Sequence, residues 1–429
     1  MSPSATKGAL ALAALAALAG GCGSKTGLRV PEETDAGLRD MPAPRDMPAP
    51  PDAAVISDVC IDLPPDEPPA FVDAQFVARI ATADVLFLVD VTGSMSDEID
   101  RIRETLRDVL VPRLAEEIPD IQFSVAEFAD FPVSPYGDES QDLPFVLRQT
   151  STANIDQVQR AVDRLATRSG SDIPESHVEA LYQVATGAGI SPWVAPRSCP
   201  AETIGYPCFR TAGSRIVLLF TDAAMHNGPG GSFPYDAPVL RPTPADYEQA
   251  AGALQSIGAK VLGLYSGADP TDRALPDLER VARDTGAVTE SGEPIVLDIG
   301  FRGERLDTGV IDAIQQLVQE VPIDIDAFVE DYPLDAFDAL QFVTGITTTG
   351  AVPASGATDL GDRYAEVRPG TRVGFRVGLA NETIPRGPEP QVYYLTVVLR
   401  GDGVTRLLET TVQVVIPSLG GEGCEATRL

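Results

Sequence analysis

The stretch Asp90-Val-Thr92-Gly-Ser94-Met-Ser-Asp97-Glu98 offers a carboxylate, then hydroxyls at two alternate positions, then two further carboxylates within one helical turn. Hard divalent cations take oxygen ligands, and Mg2+ takes six in near-octahedral order. A tight loop that turns Asp90, Thr92 and Ser94 toward one point supplies half of such a shell. Two other short stretches have the same character: Asp172-Ile-Pro-Glu175 ahead of a helical pattern, and Thr221-Asp222 behind a strand-like run. Taken singly, these acids read as helix caps and strand ends. Taken together, they point to a bound divalent metal, Mg2+ or Mn2+.

The elements that position these loops alternate in type. Val85-Leu-Phe-Leu-Val89 is a continuous apolar run, the pattern of a strand covered on both faces of a parallel sheet. Ile99, Ile102, Leu106, Leu110 and Leu114 mark one face of a helix, in which Pro112 predicts a kink. Strands follow at Ile121–Phe128, Arg215–Thr221 and Lys260–Tyr265, with helices expected near 153–167, 176–186, 245–257, 275–284 and 306–320. Such alternation predicts an α/β fold with a doubly wound, mostly parallel sheet. Ligands bind such sheets at the carboxyl ends of the strands, where the three acidic loops fall. After Val321 the period changes to two, in Val373, Phe375, Val377, Leu379 and again in Tyr393, Leu395, Val397, Leu399. That pattern predicts a small antiparallel β-sandwich, immunoglobulin-like in outline.

Asp90-x-Thr92-x-Ser94 resembles the D-x-S-x-S metal-ion-dependent adhesion site of von Willebrand A domains, with Thr keeping the hydroxyl of the first Ser. Phe128-Ala-Asp-Phe-Pro-Val-Ser-Pro-Tyr136, Asp172-Ile-Pro-Glu-Ser176 running into Glu179-Ala-Leu-Tyr-Gln-Val184, and Leu218-Leu-Phe-Thr-Asp-Ala-Ala-Met-His226 look like the integrin β-subunit version of the domain. The resemblance covers nearly all of 83–322. It implies that Thr92, Ser94 and Glu175 hold the central metal directly, while Asp90 and Asp222 act through water or on ligand binding. A ligand's acidic side chain would then complete the shell. It also implies a flanking Ca2+ site at Asp97 and Glu98, with the Ser94 carbonyl and Asp222. A third site would use Asp130, Asp172, the Pro174 carbonyl and Glu175. The family places Asn two positions before Asp172, where this chain has Gly170.

The remaining sequence describes an exported protein. Residues 8–20 form an apolar run behind Lys7, too short to span a bilayer, and lead into Gly21-Cys22. This reads as a lipoprotein signal peptide over 1–21, with Cys22 lipidated. From 22 to 70 the chain is rich in Pro, Ala and Asp and repeats Arg-Asp-Met-Pro-Ala-Pro at 39–44 and 45–50. A disordered tether is expected there. The von Willebrand A unit is assigned to 71–322, the sandwich to 323–420 and a tail to 421–429. Four further cysteines suggest two disulfides, Cys199–Cys208 closing a small loop and Cys60–Cys424 stapling the ends of the folded region. That second staple is expected to restrain movement between the two units. The net charge of −31 argues against nucleic acid and against a basic patch on anionic lipid.

The expected protein is thus a bacterial envelope lipoprotein, lipid-anchored, in the outer membrane at its periplasmic or surface face. It would meet the membrane through its N-terminal lipid alone and engage an acidic protein ligand in adhesion. A structural protein with a stabilising metal is the alternative. A hydrolase is disfavoured, since His177 and His226 are the only histidines and no G-x-S-x-G elbow occurs. His226, near the proposed site but without a second His or Cys at ligand spacing, reads as a loop or packing residue, Arg400-Gly-Asp402 as a hairpin turn, and the loop holding Trp193 as an insertion on the face away from the metal.

Overall fold

The computed structural model describes residues 58–427, except 66, 237, 268–272, 334–336 and the side chains of 426 and 427. The expected signal peptide, Cys22 and the tether up to 57 lie outside the described residues. Among the described residues, no helix is long and apolar enough to cross a membrane.

A mixed six-stranded sheet forms the α/β unit, in the spatial order Val296–Asp298, Ala259–Tyr265, Ser214–Thr221, Thr82–Asp90, Asp120–Phe128, Val146–Thr152. Its strands run parallel apart from Val146–Thr152, which pairs antiparallel at one edge. Thr82–Asp90 shows why the apolar run is continuous. Val85, Phe87 and Val89 face one core, with the helices Ser96–Thr105, Ile155–Val162 and Leu306–Glu320, while Leu86 and Leu88 face another, with His177–Thr186, Tyr247–Ser256 and Ala274–Asp284. Chain order reverses between Thr82–Asp90 and Ser214–Thr221. Crossovers leave to opposite sides at such a point and open a crevice at the carboxyl ends. Local chemistry sets the helix limits. The Asn154 side chain accepts from Gln157 N–H, Asp246 and Gln249 form a capping box, and Gly187 closes His177–Thr186 at φ +65°. The bend expected at Pro112 takes the form of a wide turn over Leu106–Leu110, with Pro112 opening the helix Val111–Glu117.

The strand-rich region holds a six-stranded and a three-stranded sheet around a shared apolar core that includes Phe375, Val377, Leu395 and Val414. Its composition corrects the expected boundaries. Ala70–Val77 was assigned to the tether's end and the α/β unit, yet it pairs antiparallel with Arg372–Leu379. Val59–Asp62, assigned to the tether, pairs parallel with Val412–Val415. The physical reason is alternation in Ala70-Phe-Val-Asp-Ala-Gln-Phe-Val77, whose Val72 and Ala74 are buried in the strand-rich core. The α/β unit is therefore inserted into the strand-rich one, and the chain crosses between them twice. Arg215 is buried where they meet and donates through Nη2 to Thr405 Oγ1 at 3.0 Å.

Both expected disulfides are present, Cys60–Cys424 and Cys199–Cys208. Arg400 is held by the Asp326 carboxylate, and Asp402 and Gly403 form the hairpin turn at φ +48° and +70°. Asp402 also pairs with Lys260 at 3.0 Å.

Candidate metal centre

Asp90 ends its strand fully buried, which is deeper than a surface loop would put it. Its Oδ1 accepts from the Thr92 N–H at 2.9 Å and from the Thr92 hydroxyl at 2.7 Å, which folds the loop back on itself. Its Oδ2 lies 2.8 Å from Thr221 Oγ1, which is also 2.8 Å from His177 Nε2. Ser94 then reaches out and donates to Asp222 Oδ1 at 3.0 Å, with Thr92 Oγ1 at 3.5 Å from Ser94 Oγ. Two of the predicted loops are thus joined directly.

The third arrives by backbone pairing. Glu175 N–H donates to the Ala224 carbonyl and His226 N–H to the Glu175 carbonyl, each at 2.9 Å, so the 172–175 loop is laced to the one after Asp222. Glu175 is buried, and its Oε2 has no hydrogen-bond partner. Burial, reinforced by Asp90, Asp130, Asp172 and Asp142, pushes its carboxyl up to about 12. Asp90 is pushed up to about 7 by burial and then by Asp222. His177, neutral because burial pulls it down to about 3, sits with Nδ1 3.2 Å from the Glu175 carbonyl. Gly170, two positions before Asp172, lines the same site. Its φ is +61°, and a Cβ there would stand 3.1 Å from Glu175 Oε1 and 3.6 Å from Thr92 Cγ2. An orphaned buried carboxylate oxygen, two hydroxyls and further acids form a hard-oxygen donor set that fits a divalent cation.

The flanking residues are arranged less as expected. Glu98 is buried, its carboxyl pushed up to about 7 by burial with Asp222 and Asp97 adding to it. Asp97 turns to solvent and to Arg302 Nε, 3.6 Å away. On the other side Asp130 and Asp172 do approach one another, with buried Pro174 in the same loop. The residue completing that group is His226, whose Nε2 lies 3.1 Å from Asp172 Oδ2 and 3.4 Å from Asp130 Oδ2. Reading His226 as a loop or packing residue near the site therefore missed its part in this group. No local spacing announces it, because the three residues lie in three separate loops. Tyr235, also unforeseen, donates to Asp130 Oδ1 and stacks on the His226 ring at 4.2 Å between centroids.

Trp193 corrects another expectation. Its ring packs edge-on against Phe131 at 4.9 Å, and Phe131 meets Tyr235 in turn, so this loop reaches the aromatic group flanking the site. Its far end behaves as expected, with Arg210 bound to Asp84 and Asp120 at the opposite end of the strands.

A sequence profile described as the von Willebrand factor A domain matches residues 84–190. That span holds the Asp90–Ser94 loop and Glu175, and the chain thus carries a von Willebrand factor A domain. No curated protein matches the chain. Among solved structures, a von Willebrand factor type A protein from Catenulispora acidiphila is similar at 13% identity and TM-score 0.35, covering 85% of this chain and 72% of that one. The pilus adhesin SpaC from Lactobacillus rhamnosus GG, in its open conformation, is similar at 12% identity and TM-score 0.35, over 81% of this chain and 45% of its own. Proximal thread matrix protein 1 from the mussel byssus is similar at 14% identity and TM-score 0.33, over 59% and 51%. This chain thus spans about half the length of the latter two. Likenesses this distant say nothing of ligand or activity.

Proposed function

We propose that the protein is an envelope lipoprotein that binds Mg2+ or Mn2+ at a metal-ion-dependent adhesion site and uses it to engage an acidic side chain of a protein ligand. The observation that carries this reading is the convergence of three separate loops. Ser94 is hydrogen-bonded to Asp222, Thr92 is turned to Asp90, and Glu175, with Oε1 beside Gly170, holds its other oxygen buried and unpartnered. Thr92, Ser94 and Glu175 would hold the ion, with Asp90 and Asp222 behind them. When bound, the ion supplies a Lewis-acidic point that accepts a ligand's carboxylate oxygen. Exposed apolar side chains on the neighbouring loops favour a protein as that ligand, with Ile173 80%, Phe233 43% and Phe301 56% exposed. We read the domain as integrin βI-like and doubly wound, the strand-rich unit as a sandwich, and the function as non-catalytic. Ca2+ beside Glu98 belongs to the same reading.

The depth of Asp90 and Glu175 supports a second reading, in which the ion only relieves buried negative charge. Calorimetric titration of the full chain with Mg2+, followed by chelator-sensitive capture of envelope proteins, separates the two. Ser94→Ala is expected to weaken Mg2+ binding at least tenfold with little change in fold, since Ser94 is exposed. Wild-type Mg2+ affinity in that variant sinks the site. Tight Mg2+ binding without any chelator-sensitive ligand favours the stabilising role.

A further inference from the structure

We infer that Asp130, Asp172 and His226 form a separate metal site, of different chemistry, that takes a borderline divalent ion of the zinc class. The oxygen-only flank implied by the family resemblance does not fit, because an imidazole nitrogen joins its two carboxylates. None of the three residues belongs to the central set, so the inference stands apart from the proposed function.

The argument begins with a hydrogen. The Phe233 carbonyl can only accept, so the ring nitrogen facing it at 2.7 Å, His226 Nδ1, carries the hydrogen. In the neutral ring this leaves a lone pair on Nε2, directed at Asp172 Oδ2 at 3.1 Å and Asp130 Oδ2 at 3.4 Å. Asp130 is fully buried, and this oxygen has no hydrogen-bond partner. Its other oxygen is taken by the Tyr235 hydroxyl and the Phe131 N–H. Three acceptors therefore meet, one ligand atom from each residue lying within 4.8 Å of the other two. They repel unless a positive charge joins them.

The two spacings from Nε2 suit a metal. Ligand bonds of about 2.0–2.2 Å in a tetrahedral shell put neighbouring donor atoms about 3.4 Å apart. The outer contacts match as well. Metal-binding imidazoles commonly donate their second N–H to a backbone carbonyl, and ligating carboxylates are themselves held by hydrogen bonds. Here Phe233 and Tyr235 serve in those roles, while Tyr136 packs edge-on against the His226 ring at 5.2 Å. Asp172, one-third exposed, leaves an approach from solvent and a fourth position. One imidazole with two carboxylates suits zinc and its first-row neighbours, whereas Mg2+ and Ca2+ prefer oxygen alone.

The test is cobalt titration of the full chain in millimolar Mg2+, read by visible absorption and displaced by Zn2+. One equivalent of Co2+ with the bands of a low-coordinate site is expected. His226→Gln and Asp172→Asn should each weaken it at least tenfold. Ser94→Ala should leave it unchanged while weakening the Mg2+ titration, so that failure of one site is distinguishable from failure of the other. If His226→Gln melts abnormally, Asp172→Asn decides, because that side chain is partly exposed. A wild-type chain that takes up no cobalt, its group closed by a protonated His226 alone, overturns the inference. So does a cobalt band that survives both substitutions.

Discussion

At the residue scale, the buried acids would tie the proposed metal binding to pH. Asp90 and Glu98 are each raised to about 7, and Glu175 to about 12. A carboxyl raised on folding binds protons that the unfolded chain has released, so stability falls as pH rises from the ordinary carboxylate range of about 4 toward the raised value. A bound cation needs those groups ionised, and its binding displaces protons. The metal-free chain is therefore expected to melt at a lower temperature at pH 8 than at pH 5. The gap between melts in Mg2+ and in chelator should widen over the same interval. A gap that narrows with rising pH would place the ion elsewhere. Asp90, Thr92 and Ser94 were legible in the sequence because their spacing is local. His226 and Gly170 were not, because their roles arise only once separate loops meet.

At the scale of elements, legibility followed the strength of the periodic signal. Thr82–Asp90 and Ser214–Thr221 announce themselves through burial on both faces. Val146–Thr152 does not, since all seven of its residues are half-buried and five are polar or charged. That edge strand nevertheless reaches the site indirectly. Glu127, buried on the neighbouring strand, accepts from Arg148 Nε at 2.8 Å and from Arg168 Nη2 at 2.7 Å. Arg168 in turn donates its backbone N–H to the Val91 carbonyl at 2.6 Å, which sets the start of the loop carrying Gly170 and Glu175 against the Asp90–Ser94 turn. Glu127 is thus a positioning residue. Removing its charge leaves two partly buried guanidinium groups without a counter-charge, a loss on the order of 3 kcal/mol. Glu127→Gln is expected both to lower the melting temperature and to weaken Mg2+ binding several-fold in calorimetry. An unchanged Mg2+ affinity in a destabilised variant would confine Glu127 to fold stability.

At the scale of the whole molecule, the insertion changes what restrains the two units. Cys60 and Cys424 both belong to the strand-rich unit, on Val59–Asp62 and on the short helix Cys424–Thr427. Their bond therefore closes that unit on itself and does not tie it to the α/β one, as the sequence had suggested. Restraint comes from elsewhere. The chain crosses between the units at 78–81 and again at 321–322, and Lys260–Asp402, Arg368–Glu290 and Arg215–Thr405 bridge them. Exposed ion pairs contribute little, but two covalent crossings and a buried arginine leave few ways to rotate. A ligand shifts such an equilibrium only by its differential affinity for the two arrangements. Distances between spin labels on the two units, with and without Mg2+, should therefore change by less than one helical turn, about 5.4 Å. Joint replacement of Cys60 and Cys424 by Ser should leave that distance alone while costing up to about 5 kcal/mol of stability, because the loop it opens is long. Replacement of Cys199 and Cys208, which close a far shorter loop, should cost less. A label distance that grows by more than about 10 Å on adding Mg2+, beyond a one-turn slide, would show that the crossings act as a hinge. Growth of that size only after the Cys60–Cys424 bond is removed would return the restraint to the disulfide.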